Sequence, residues 1–238
     1  MHEYVPFQVG GYVLAGGKSS RMGIDKALMQ LAGKPLIRHA VTKLSRICSD
    51  VHILSSNPEL APFAPLVPDL HPDCGPIGGI EAALLRSTYE WNVFLAVDMP
   101  FLPSAYLWGW MSEWMQTEDD GARIRVFTAD DRPQPGFCLL HREVAPFFFD
   151  AIKRGELKLM SVFETAGREL ALRRGFPPEA GLWSVQATGK GMTPGKVRLP
   201  EWLYVSDAQR AAERLWFANL NTPWDFAEAE AHVDALDT

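Results

Sequence analysis

Short apolar runs alternate with helical stretches through the first half of the chain. Apolar runs fall at Tyr12 to Ala15, Val51 to Ser55, Leu66 to Asp69 and Val93 to Val97, and helical patterns at Pro35 to Cys48 and Ile77 to Ser87. In the segment opened by Pro35, Leu36, Ile37, Ala40, Val41, Leu44, Ile47 and Cys48 recur at the 3.6-residue period of an amphipathic helix. The run VFLAV before Asp98 lacks alternation, as a strand covered on both faces requires. Strands alternating with helices in this way predict an α/β fold, a mostly parallel central sheet with helices on both faces.

Beyond Asp98 the pattern predicts a tryptophan-rich helix over Pro103 to Met115 and strands at Ile124 to Thr128 and Phe137 to His141. Helices follow at Glu143 to Lys153 and Lys158 to Ala166. Residues 175–201 concentrate glycine and proline beyond what regular elements tolerate and read as an insert. Order returns over Asp207 to Phe217, and Thr222, Pro223 and Asp225 form a capping-box-like start for a last helix.

Composition narrows the classes. With 238 residues, 47% of them apolar, the chain can bury one sizeable core, and a single domain is expected. A net charge of −6 argues against a surface that tracks a nucleic-acid backbone, so an anionic ligand must be held locally. Cys48, Cys74 and Cys138 are odd in number and show no C-x-x-C spacing, which suggests buried thiols rather than disulfides or zinc ligands. No signal-peptide pattern and no 18-residue apolar run is present, so the expectation is a soluble cytoplasmic protein.

The candidate chemistry starts at LAGGKSSRMGIDKA, residues 14–27. Gly17-Lys18-Ser19 imitates a P-loop, but G-x-x-x-x-G-K-[ST] needs glycine where Tyr12 stands, and no G-x-G-x-x-G fingerprint is present. What remains is a strand entering two glycines, followed by Lys18, Arg21 and Lys26 with Asp25, a local charge of +2. Bare glycine backbone and local positive charge suit a polyphosphate; a turn of solvated charges is the competing reading. Asp98 in AVDMP closes a buried strand, where a carboxylate faces the ligand crevice of an open α/β sheet and can serve as a Mg²⁺ ligand; a helix cap is its alternative. Asp69 also ends an apolar run, and CGPIGG, residues 74–79, turns into a helix. Each of these is weak alone, but all lie at the carboxyl edge of one sheet.

These residues resemble the molybdenum cofactor guanylyltransferases, the MobA family. That family's pattern LAGGxSxRMGxDK is met by Leu14-Ala15-Gly16-Gly17, Ser19, Arg21-Met22-Gly23, Asp25 and Lys26. Asp69 precedes a G-P-[LI]-x-G turn, found as Gly75-Pro76-Ile77-Gly78-Gly79, and Asp98-Met99-Pro100 matches a metal-binding D-x-P. Arg132-Pro133-Gln134-Pro135 and the Asn219 to Pro223 segment look like the family's R-P-Q-P and N-x-N-T-P. The likeness covers most of residues 10–174 and 203–230. It implies a three-layer Rossmann-like nucleotidyltransferase fold over residues 1–238, with the insert at about 175–201.

It also implies transfer of GMP from Mg-GTP to the phosphate of molybdopterin with release of pyrophosphate. GTP contacts would come from Leu14, Ala15, Gly16, Gly17, Lys26, Asp69, Gly78 and Asp98, with Asp98 holding Mg²⁺. Arg21, Lys26 and Asp98 would be catalytic, and Asn219 and Asn221 would lie on the pterin side. Where the family has a nucleotide-binding asparagine after the second strand, the nearest positions here are Ser55 and Asn57. Partners implied are small molecules, without nucleic acid or membrane, with transient contact to molybdoenzymes or their chaperones and a monomer or weak homo-oligomer. Such a transfer needs no general base, because a phosphate monoester is already largely ionised near neutral pH, and the histidines, His39 and His52 among them, are read as structural. The alternatives are a cytidylyl- or sugar-phosphate nucleotidyltransferase of the same fold, or a nucleotide-binding protein without turnover. LAGG favours guanylyl over cytidylyl relatives, which usually read LAAG.

Overall fold

The computed structural model describes residues 6–16, 25–116, 121–129, 132–188 and 205–237. A seven-stranded sheet is built from β1 (Phe7–Leu14), β4 (Cys48–Leu54), β5 (Leu66–Val67), β6 (Trp91–Ala96), β7 (Ile124–Ala129), β8 (Arg132–His141) and β9 (Leu182–Thr188). Two-residue strands β2 (Gln30–Leu31) and β3 (Lys34–Pro35) make a separate antiparallel ribbon. The helices are α1 (Leu36–Ser45), α2 (Pro76–Arg86), α3 (Ser104–Gln116), α4 (Ala145–Lys153), α5 (Leu159–Arg173), α6 (Asp207–Ala211) and α7 (Pro223–Glu230).

The strand order is β5-β4-β1-β6-β8-β7-β9. Only β8 runs against its neighbours, so six of the seven strands share one direction. From β1 the chain goes outward to β4 and β5, then returns to place β6 on the opposite side of β1. Ligand crevices of open α/β sheets open at such reversals, outside the carboxyl ends of the strands.

Strand alternation divides the core in two. Val9, Val13, Val93 and Leu95 point to the face covered by α1, α3 and the C-terminal residues Trp216, Phe226 and Leu236. Tyr12, Phe94, Cys138 and Leu140 point to the other face, under α2, α4 and α5. One strand feeding both clusters is the period-2 geometry of a sheet buried on both sides. The expected three-layer α/β arrangement is therefore present. Among the described residues no helix is long and apolar enough to cross a membrane.

Three local expectations change. Leu182–Thr188, inside the stretch expected to be irregular, forms edge strand β9 and pairs in parallel with β7. Its sequence LWSVQAT contains neither glycine nor proline, and only averaging over the flanks hid it. β8 begins at Arg132, five residues earlier than expected, and takes in Pro133 and Pro135. β6 pairs only with Phe137–His141, so one side of the proline-bearing end has no ladder from β6 to disrupt. Of the three thiols expected to be buried, Cys48 and Cys138 are, and burial raises their pKa, whereas Cys74 is half-buried in the loop before α2.

Candidate active site

The exits of β1 and β6 are tied together, since the Leu14 carbonyl accepts from the Val97 N–H at 3.2 Å. Ala15 and Gly16 follow the last paired residue of β1. Gly17 and Arg21, both expected in the site, lie outside the described residues. The described chain resumes at Asp25, which caps a single 3₁₀ turn, Lys26–Leu28. Asp25 Oδ1 accepts from the Ala27 N–H at 2.9 Å and Oδ2 from Asn57 Nδ2 at 2.7 Å. Both carboxylate oxygens are thus engaged, and the turn carrying Lys26 is fixed against the loop after β4.

From that turn the Lys26 ammonium donates to Asp98 Oδ2 at 2.6 Å and to Asn221 Oδ1 at 2.6 Å. Asp98 lies two residues past the end of β6, and its carbonyl accepts from the Leu220 N–H at 3.0 Å, which anchors the C-terminal segment beside it. Asn221 is oriented from the other side by α7. Its N–H and that of Thr222 both donate to Asp225 Oδ2 at 2.7 Å, and Thr222 Oγ1 accepts from the Asp225 N–H, completing the expected capping box. The hydrogen bond from the Asn221 N–H, with those from Thr222, holds the Asp225 carboxyl below the usual carboxylate range, outweighing its slight desolvation.

Asp98 Oδ1 is buried and has no hydrogen-bond partner among the described residues. A buried carboxylate oxygen without a donor suits a hard cation, and charge on its sister oxygen is already matched by Lys26. Among the described residues no cluster of three or more His, Cys, Asp or Glu side chains could hold a metal. Asp98 could hold such a cation together with oxygens of a ligand, the habit of Mg²⁺ on nucleotide phosphates.

Asp69 belongs to a second group. It follows β5 and lies over the first turn of α2, where Pro76 takes the tolerated first helical position after Gly75 at φ +61°. A Cβ on Gly79 would stand 3.1 Å from Asp69 Oδ1, and one on Gly78 would stand 2.8 Å from the His71 carbonyl oxygen. Two bare helix positions thus let the Asp69 loop lie against the helix. Burial raises the Asp69 carboxyl pKa. β5 and β6 are three strand spacings apart, placing the Asp69 and Asp98 exits about 14 Å from each other across the crevice.

The structure thus brings Lys26, Asp98 and Asn221 together, and sets Asp69 with Gly78 farther along the same edge. Asn221, expected on the pterin side, is bonded to Lys26, while the Asn219 carbonyl accepts from Asn221 Nδ2 at 3.4 Å. Ser55 Oγ accepts from the Asn57 N–H at 3.1 Å, and Asn57 reaches Asp25. The Asp25–Asn57 brace was missed in sequence. Its only signals were the Asp25-Lys26 adjacency and an Asn-Pro pair that reads equally well as a turn.

A mostly parallel sheet that delivers a braced lysine and a strand-end aspartate to the switch-point crevice defines a Rossmann-like nucleotidyltransferase. The family described as the MobA-like NTP transferase domain matches residues 11–170, and the chain belongs to it. The molybdenum cofactor guanylyltransferase of Serratia proteamaculans is 35% identical over 174 residues, 70% of this chain and 83% of that protein. The protein of the same name from Vibrio atlanticus is 34% identical over 166 residues, 67% and 82% of the two chains. Among solved structures, molybdopterin-guanine dinucleotide biosynthesis protein A from Archaeoglobus fulgidus shares the fold. Its TM-score is 0.65 at 24% identity, covering 95% of this chain and 99% of that one.

Proposed function

We propose that this chain transfers GMP from GTP to the phosphate of molybdopterin, releasing pyrophosphate and forming the guanine dinucleotide of the molybdenum cofactor. The observation that carries the reading is the Lys26 ammonium bonded at once to Asp98 and Asn221, three segments remote in sequence meeting at the sheet's switch point. The relatives' names supply the nucleotide and the acceptor, and by the family resemblance Leu14-Ala15-Gly16-Gly17 favours guanylyl over cytidylyl transfer.

In the reaction, an oxygen of the molybdopterin phosphate attacks the α-phosphorus of GTP. The bond from that phosphorus to the bridging oxygen breaks, and pyrophosphate leaves with its electron pair. The protein's contribution is alignment and charge. Leu14, Ala15 and Gly16 offer backbone to guanine and phosphate, with Gly17 also among the GTP contacts. Lys26 would neutralise charge on the α-phosphate, and Asn221, which accepts from its ammonium, would hold it in place. Arg21 serves the β and γ phosphates, Asp69 and Gly78 complete the GTP contacts, and Asn219 with Asn221 borders the acceptor. Asp98 Oδ1 would hold Mg²⁺, which when bound supplies a positive charge to the phosphate oxygens.

The C-terminal residues Val205, Trp216, Phe226 and Leu236 share one core with α1 and α3, which supports a single domain over residues 1–238. The three free cysteines suit a reducing cytoplasm. The test is pyrophosphate release from GTP with Mg²⁺ and molybdopterin. Lys26→Met should lower kcat about 10²–10³-fold, the cost of removing one positioned charge-stabilising group. A kcat within about twofold of the parent would remove Lys26 from the reaction.

A further inference from the structure

The loop that carries Asp69 from β5 to α2 crosses one defined face of that helix. Gly78 and Glu81 are three residues apart and share this face. The His71 backbone lies over Gly78, its carbonyl oxygen 2.8 Å from where a Cβ would stand. The His71 ring lies over Glu81, with Nε2 3.4 Å from Oε2. Glu81 is 1% exposed and sits between helix positions that all face the core, Ile80 and Ala82 to Leu84. Among the described residues its Oε2 makes no hydrogen bond, so the approach of His71 is a close polar contact without hydrogen-bond geometry. Burial raises the Glu81 carboxyl pKa, against the opposing pull of the His71 ring when that ring is protonated. The His71 ring also neighbours Phe149 of α4, with ring centroids 6.0 Å apart.

An apolar residue at position 81 would avoid the cost of burying a carboxylate. What Glu81 reaches that an apolar side chain could not engage is the His71 imidazole. His71 in turn is two residues from Asp69, in a loop whose backbone and side chains lie against the helix, the His71 carbonyl over Gly78 and the Asp69 carboxylate over Gly79.

We propose that His71 and Glu81 form a positioning pair that holds the Asp69 carboxylate at the nucleotide end of the crevice. Neither touches substrate; the proposal rests on the reading of Asp69 as a GTP contact. Releasing the ring from Glu81 frees the loop to lift from Gly78 and Gly79 and takes Asp69 with it. Lys26 and Asp98 stand at the exits of other strands and stay in place, so binding of GTP suffers while the transfer step does not.

The experiment compares KM for GTP and kcat in the full chain, with Mg²⁺ and molybdopterin, for His71→Ala, Glu81→Gln, their double variant, His71→Arg and Asp69→Asn. His71 is partly exposed, so its truncation leaves the core intact. The expected result is that His71→Ala raises KM for GTP about 3- to 10-fold with kcat within about twofold of the parent. The double variant should be no worse than the worse single, and His71→Arg, which again presents an N–H group to Glu81, should recover most of the loss. Unchanged KM in His71→Ala, or additive losses in the double variant, would overturn the pairing. If Asp69→Asn raises KM and His71→Ala does not, the positioning role alone falls. If Asp69→Asn is silent, the assignment of Asp69 falls and the proposal falls with it.

Discussion

Removal of the Asp237 carboxylate probes how the C-terminal segment is held where Asn221 can meet Lys26. Asp237 Oδ2 accepts from Lys43 Nζ at 2.7 Å, from the Ser104 N–H at 2.8 Å and from Ser104 Oγ at 2.6 Å; Oδ1 accepts from Gln209 Nε2 at 3.0 Å. One side chain near the chain end thus caps α3, a helix 133 residues earlier, and neutralises Lys43, which is 1% exposed. In Asp237→Ala the Lys43 ammonium keeps its bond to the Leu102 carbonyl but loses its buried counter-charge.

Breaking one partner out of a buried pair costs about 3–5 kcal/mol, to which the lost helix cap adds about 1 kcal/mol. For a domain of this size each kcal/mol moves Tm by about 2–4 °C, so a fall of about 10 °C or more is expected in thermal unfolding. Lys43→Met combined with Asp237→Ala should recover a large part of it, because the orphaned charge is gone.

Acid unfolding adds a second reading. Burial alone would raise the Asp237 carboxyl pKa, but the Lys43 charge and the Ser104 hydrogen bonds outweigh it, so the group titrates below its ordinary value of 3.8. Its stabilisation is therefore complete above about pH 4 and is lost as pH falls through the lower folded-state value. A loss below about 1 kcal/mol in Asp237→Ala, or a double variant no more stable than the single, would refute this assignment.

Three further outcomes follow from the site. Asn221→Ala removes one acceptor from Lys26 and should lower kcat about tenfold, the scale of one charge-assisted hydrogen bond, with little change in Tm; steady-state kinetics and thermal unfolding check it. Gly78→Ala places a methyl 2.8 Å from the His71 carbonyl oxygen, a backbone atom, and should cost about 1–3 kcal/mol in denaturant unfolding while raising KM for GTP. Asp98→Asn keeps an acceptor for Lys26 but removes the carboxylate charge at Oδ1; turnover should fall and should need more Mg²⁺, and an unchanged Mg²⁺ titration would rule out its ligand role.

Much of this architecture was legible because the sheet is buried on both faces. The runs around β1, β4 and β6 are apolar enough to stand out, and a parallel sheet places each strand-end aspartate at one edge whatever the strand order. α1 declared itself through its periodicity, and the α7 cap through Thr222 and Asp225. The partner of Lys26 was less accessible. Asn221 is 195 residues away, and tertiary packing of the C-terminal segment, with the bond from the Leu220 N–H to the Asp98 carbonyl, brings it there. The same holds for Asp25 with Asn57 and for His71 with Glu81. Each is a contact across a loop, set by tertiary packing and carrying no local period. β9 was missed for a different reason, since seven ordinary strand residues were flanked by a glycine- and proline-rich sequence.

The most direct measurement offers the full chain GTP and CTP in equal amounts, with Mg²⁺ and molybdopterin, and identifies the dinucleotide formed by mass while pyrophosphate is counted. The expected result is the guanine dinucleotide with one pyrophosphate released per product. A cytosine dinucleotide, or no dinucleotide from either nucleotide, would contradict the assignment.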